Sequence, residues 1–197
     1  MAAGMKAFQK DDSGKISALP AHCTSEALSE SGVPRLSIEA SGDESSRDAW
    51  HPGLQRLYEY WKAIHPLQGL PGRQEFDPAA VPDLLPNLWM LDVQREPFRL
   101  RYRLVGTSIL CSAPGGITGQ WLDDVRPEIR DIPGYFDRHR AVVETKIPSW
   151  RYGASPFQHD VAFASLENLF LPLAGDGQHV DVILAATIYY RHNGKQF

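Results

Sequence analysis

From Phe98 to Leu104 apolar and basic residues alternate without a break. Phe98, Leu100, Tyr102 and Leu104 occupy one phase of a period of two, and Arg99, Arg101 and Arg103 the other. A helix would scatter both sets around its axis; an extended strand keeps them on opposite faces. Such a strand belongs in an antiparallel sheet, where one face is buried and the other wetted. Glu96-Pro97 makes a turn just ahead of it, and the apolar run Leu88–Val93 precedes the turn. The two runs therefore read as a hairpin.

Downstream, Tyr135 to Thr145 carries Tyr135, Phe136, His139, Val142 and Val143 at helical spacing, with Pro133-Gly134 before it and Pro148 after. This is the long helix of the chain. Thr107–Cys111 and Trp121–Val125 read as short helical turns around the loop Pro114-Gly115-Gly116. Three strands follow: Trp150–Tyr152, Ala162–Leu173, and a segment in which Val180, Val182, Leu184, Ala186 and Ile188 alternate. Gly175-Asp176-Gly177 joins the last two as a hairpin turn. Upstream, Leu54, Leu57, Tyr58, Trp61 and Ile64 form the stripe of a helix that Pro66 ends, with Gln55, Glu59 and Lys62 on the other side. Asp77-Pro78 is a helix start that Pro82 keeps short. Two strands, short helices, one long helix and three strands make an α+β domain with a five-stranded antiparallel sheet.

Residues 1–48 are rich in Ser, Gly, Ala and acidic side chains and show no sustained period. They carry 5 basic against 8 acidic residues, so −3 of the chain's net −4 sits there. We expect a disordered N-terminal arm over 1–48, because so little apolar surface does not offset chain entropy. A helix and linker over 49–72 follow, then the main domain over 73–197. The small net charge gives no reason to expect nucleic acid or an anionic membrane as partner. Cys23 and Cys111 are the only cysteines; with no apolar leader-like run at the N-terminus, they fit a reducing, cytoplasmic setting.

Several short motifs come in a fixed order. They are Tyr60-Trp61, Leu70-Pro71, Arg73, Phe76-Asp77-Pro78, Leu85-Pro86, Asp92, Tyr102-Arg103, Gly106-Thr107, Thr118-Gly119, and Leu171-Pro172-Leu173 with Asp176-Gly177. The set resembles a PAS domain, and most of all the short bacterial stand-alone PAS proteins of unknown function. It covers about Tyr58 to Tyr190. The resemblance implies a PAS fold with helices packed on one face of the sheet and an N-terminal flanking helix. It also implies a ligand-sized cavity between sheet and helices, a habit of dimerising, and a signal passed to a partner protein. The family motifs are structural, so the resemblance assigns no catalytic residue.

By periodicity, Tyr102 and Leu104 point inward from the central strand, and Phe136, His139 and Val143 from the long helix. With Cys111 and Trp121 from the short helices, these seven form the expected pocket for a small, mostly apolar ligand. His139 is read as its hydrogen-bonding handle. Haem held through His139 is the alternative that similar PAS gas sensors suggest, since a proximal histidine in an apolar pocket is what haem iron takes. Leu54, Leu57, Tyr58 and Trp61 either pack on their own domain or form a homodimer interface. The arginine stripe reads as a solvated strand face paired with Asp92 or other carboxylates. The seven histidines never cluster at metal-ligand spacing, and no nucleophile or phosphate-loop motif is present. A non-catalytic sensor or adaptor is therefore expected; the alternative is a ligand-free scaffold whose core is filled by Tyr102, Trp121, Phe136 and Trp150.

Overall fold

The connection from one sheet edge to the other decides where this chain can hold anything. A computed structural model describes residues 47–110, 116–154 and 164–196, with short strands at Phe8–Lys10, Ile16–Ala18 and Leu36–Ser37. Most of the arm expected to be disordered, and Cys111, lie outside the described residues. Five longer strands, all antiparallel to their neighbours, form the main sheet: β1 (Leu88–Gln94), β2 (Arg99–Val105), β3 (Ser149–Gly153), β4 (Ser165–Leu173) and β5 (Val182–Tyr190). Their order is β3-β4-β5-β1-β2, with Leu36–Ser37 added beside β3. Passing from the β2 edge to the β3 edge, the chain crosses a sheet face. It carries α2 (Thr107–Leu110), α3 (Leu122–Val125) and α4 (Asp137–Thr145) on the way.

Register assigns the two faces. Opposed residues of an antiparallel pair point the same way. Phe170 of β4 faces Ser149 of β3 and Ala185 of β5, and Ala185 faces Trp89 of β1. Phe170 also meets the ring of His139 from α4, at 4.8 Å between centroids, so this is the α4 face. The opposite phase, Trp150 with Leu169 and Ala186, lies under α1 (Pro52–Ala63). Trp150 stacks on Trp50 at 5.4 Å, and Trp50 meets Tyr58 of α1 edge-on. Because both faces are covered, β4 from Leu166 and β5 as far as Ile188 are buried at every position. The alternation read for β5 is real, but Ile183, Ala185 and Thr187 between its members are equally enclosed.

The helix α1 starts where the sequence provides a cap. The His51 ring accepts from the Gly53 amide at 3.1 Å, and Pro52 takes the first helical position. Leu54, Leu57, Tyr58 and Trp61 are all buried against the sheet of their own chain, and the Trp61 indole donates to the Pro172 carbonyl at 3.0 Å. Within the single chain the stripe packs on its own sheet, as in the first of the two readings. The long helix begins two residues later than the pattern predicts, at Asp137. Gly134, at φ 70°, turns the chain just before it, and Lys146 closes it in the left-handed conformation.

Candidate functional site

The α4 face of the sheet collects an unusual set of polar side chains for an interior. His139 projects from α4 beside Val142 and Val143, and all three are buried. Its Nδ1 lies 3.3 Å from the Tyr135 carbonyl oxygen. A carbonyl only accepts, so Nδ1 carries the proton and Nε2 is left as a lone pair. That Nε2 is buried and has no hydrogen-bond partner. The ring sits among Tyr135 at 5.6 Å, Phe136 at 6.0 Å and Phe170 at 4.8 Å. Burial, aided by the neighbouring charge of Arg138, holds its pKa down to about 3.

Two arginines enter the same space with different fates. Arg138 lies over the Phe170 ring at 3.9 Å and donates to the Ser149 hydroxyl and carbonyl and to the Asn168 side chain and carbonyl. It is fully engaged in joining α4 to β3 and β4. Arg151 of β3 faces Asn168 and so projects from the same face. It is 7% exposed, one of its terminal nitrogens donates to the Ala154 carbonyl, and its Nε has no partner. Its positive charge is a lesser cause of the lowered His139 pKa. Burial pushes the Tyr135 phenol up to about 12, and burial likewise raises Tyr102, with the Tyr135 phenol adding to it.

Of the seven residues expected to line a pocket, Tyr102 and His139 share this face; Phe136 and Val143 stand on the adjoining turns of α4 or its cap. Leu104 does not join them. One extra residue in β2, at Arg103, shifts the pairing, so that Tyr102 opposes Leu91 but Leu104 opposes Met90. A bulge of one residue reverses the alternation beyond it, and Leu104 turns to the other face. Trp121 is displaced for a related reason. Residues 119–121 run along β2 as a short extra edge, with Tyr102 N–H donating to the Gln120 carbonyl and Trp121 set opposite Arg101. Trp121 therefore lies away from α4, under Arg99 at 4.5 Å and Arg101 at 5.7 Å.

The arginine stripe on that outer face is neutralised, as the sequence reading held. Asp92 pairs with Arg101 at 3.2 Å and with Arg103. Arg99 meets Asp123 at 2.7 Å and Asp124 at 3.0 Å. Burial works to raise Asp123, but the bonds from Arg99 and Arg130 outweigh it and hold the carboxyl below its ordinary range. On the α1 face, buried Glu167 accepts from the His51 amide (2.7 Å), the Trp150 indole (2.8 Å) and the Tyr190 hydroxyl (2.8 Å). This carboxylate pins the start of α1 to three strands.

Sequence reasoning missed Arg151 and Phe170 as members of the interior, and read Tyr135 on the His139 face of the helix without counting it in the pocket. The available signal was a charged residue at the centre of Trp150-Arg151-Tyr152, flanked by aromatics on both sides. Among the described residues no group of three His, Cys, Asp or Glu side chains is placed to hold a metal ion. No helix among them is long and apolar enough to cross a membrane. A family model described as a PAS domain matches residues 49–188. Neither a curated protein nor a solved structure matches the chain.

Proposed function

Because the chain belongs to the PAS domain family, we propose that it is a sensory or interaction module that holds a small molecule between β2–β4 and α4 and signals through a partner protein. One observation carries this reading: a neutral imidazole buried on the α4 face with its Nε2 unbonded. A buried polar atom without a partner costs about 1–3 kcal/mol, and a bound molecule that donates to it removes that cost. The surrounding aromatic rings of Phe136 and Phe170 suit a mostly apolar body. The module is non-catalytic on this reading, in which His139 holds a ligand and activates no hydroxyl or thiol.

Native mass spectrometry of the freshly purified chain tests it. A retained mass of a few hundred daltons, lost in His139→Leu, is the expected result; a clean ligand-free mass from several preparations favours the scaffold. The scaffold reading draws on the same rings, which lie within 6.0 Å of the imidazole and pack part of the interior. Haem is the other occupant His139 could hold, because donating Nδ1–H to a carbonyl leaves the Nε2 lone pair free for iron; it would supply gas binding or electron transfer. Our reading is a hydrogen-bond partner, and a Soret band that disappears in His139→Ala overturns it.

A further inference from the structure

Arg151 is a buried cation that no anion among the described residues meets. A guanidinium keeps its proton at any pH a folded protein meets. At 7% exposure it is cut off from water, and among the described residues no carboxylate pairs with it. Removing an ion from water costs several kcal/mol unless a counter-charge and hydrogen bonds replace the solvent. Here the replacement is one bond to the Ala154 carbonyl, and Nε–H is left bare. The other orphan, His139 Nε2, lies on the same sheet face, its ring against Phe170, two residues along β4 from Asn168, the residue opposite Arg151. The two have opposite needs: Nε–H requires an acceptor, and the imidazole lone pair a donor. A direct bond between them would satisfy both, and the fold does not make it.

We propose that the molecule held on the α4 face is a small monocarboxylic acid, its carboxylate on Arg151 and a neighbouring hydroxyl or N–H on His139 Nε2. This rests on the interior-ligand reading above and adds to it the chemistry of the ligand. One guanidinium with no carboxylate partner among the described residues balances one negative charge. The second nearby arginine, Arg138, is used up on Ser149 and Asn168, so a doubly charged phosphate would lack donors. The rest of the acid is apolar and lies among Phe136, Phe170 and Tyr102.

The test uses the full chain at pH 7.5 with benzoate, 4-hydroxybenzoate, mandelate and hexanoate, each set against its neutral alcohol, by calorimetry and thermal shift. At least one acid is expected to bind ten or more times tighter than its alcohol. Arg151→Met should abolish that preference while melting, without ligand, at the same temperature or higher, because an uncompensated buried charge has gone. Arg151→Lys keeps the charge but not the Nε donor and should weaken the acid severalfold. Should Arg151→Met fail to fold, the acid-to-alcohol ratio of the wild type still decides. Equal affinity for acids and alcohols overturns the carboxylate while leaving an interior pocket standing. No binding across the panel, with a clean native mass, overturns both.

Discussion

His139 is neutral in the folded chain because the interior refuses its charge, and that makes its contribution to stability a function of pH. In the fold its pKa is held down to about 3, against an ordinary value of 6.5. Between those values the unfolded chain binds a proton that the folded chain does not. The stability is therefore complete above pH 6.5 and is lost as pH falls toward 3, by about 1.4 kcal/mol per pH unit. We expect the urea midpoint of the wild type to fall faster from pH 6.5 to 5 than that of His139→Gln, which cannot titrate. Parallel profiles would mean that the ring is already solvated. Single residues also mark where reading by pattern stopped. The period of two was sound for Leu100 and Tyr102, yet one bulged residue at Arg103 reversed it for Leu104. Bulges follow from how two strands fit together, and nothing within a single strand announces them. Arg151 was hidden differently: its burial depends on how β4 and α4 pack around β3, which no pattern within the strand announces.

Elements in this fold are joined at a few points where geometry leaves no alternative. Glu167 is one. Its three donors come from the chain before α1, from β3 and from β5, so one carboxylate fixes the α1 side of the sheet. The amide nitrogen of Glu167→Gln cannot accept, and one of the three donors loses its acceptor, costing about 1–3 kcal/mol. For a domain of this size that is a drop of roughly 2–12 °C in melting temperature. Adding Tyr190→Phe, which removes a donor, should recover part of the loss; strictly additive losses would show that the two side chains are uncoupled. Gly106 is a second such point. Its N–H donates to the Leu88 carbonyl at 2.7 Å, and a Cβ there would collide with the carbonyl oxygens of Leu85 and Pro86. Gly106→Ala must push β2 away from the turns before β1. We expect it to lower the melting temperature by several degrees, where an exposed Gly116→Ala control, with open space around it, should shift it by less than about 2 °C. The elements themselves were legible in the sequence, because periods and proline breaks are local. Their ends moved by two or three residues wherever a cap replaced the pattern, as at Phe136 and Asp137.

At the scale of the whole molecule, the open question in the sequence was what the aromatic stripe of α1 covers. Patterning shows that Leu54, Leu57, Tyr58 and Trp61 must be buried, but not by which chain. In the structure the answer comes from the far end of the sequence: β4 presents Leu169 and Leu171 on that side, and the Trp61 indole closes on the Pro172 carbonyl. The segment leaving α1 is then stitched to the β4–β5 connection, with Leu70 N–H donating to Gly177 and Ala174 N–H to Pro71. Burial of this face therefore belongs to folding. Trp61→Glu would force a carboxylate into a site only 5% exposed and orphan the Pro172 carbonyl. Burying an unpaired charge and losing a large aromatic side chain together cost on the order of 3–5 kcal/mol. Trp61→Phe, which keeps an aromatic ring but loses the indole donor and part of the volume, should cost less, about 1–2 kcal/mol. Circular dichroism melts and sedimentation of both variants at micromolar concentration separate core from interface. The expected result is a large fall in melting temperature for Trp61→Glu at every protein concentration, with a smaller one for Trp61→Phe. A Trp61→Glu chain that keeps its melting temperature but halves its sedimenting mass would show that the stripe holds two chains together.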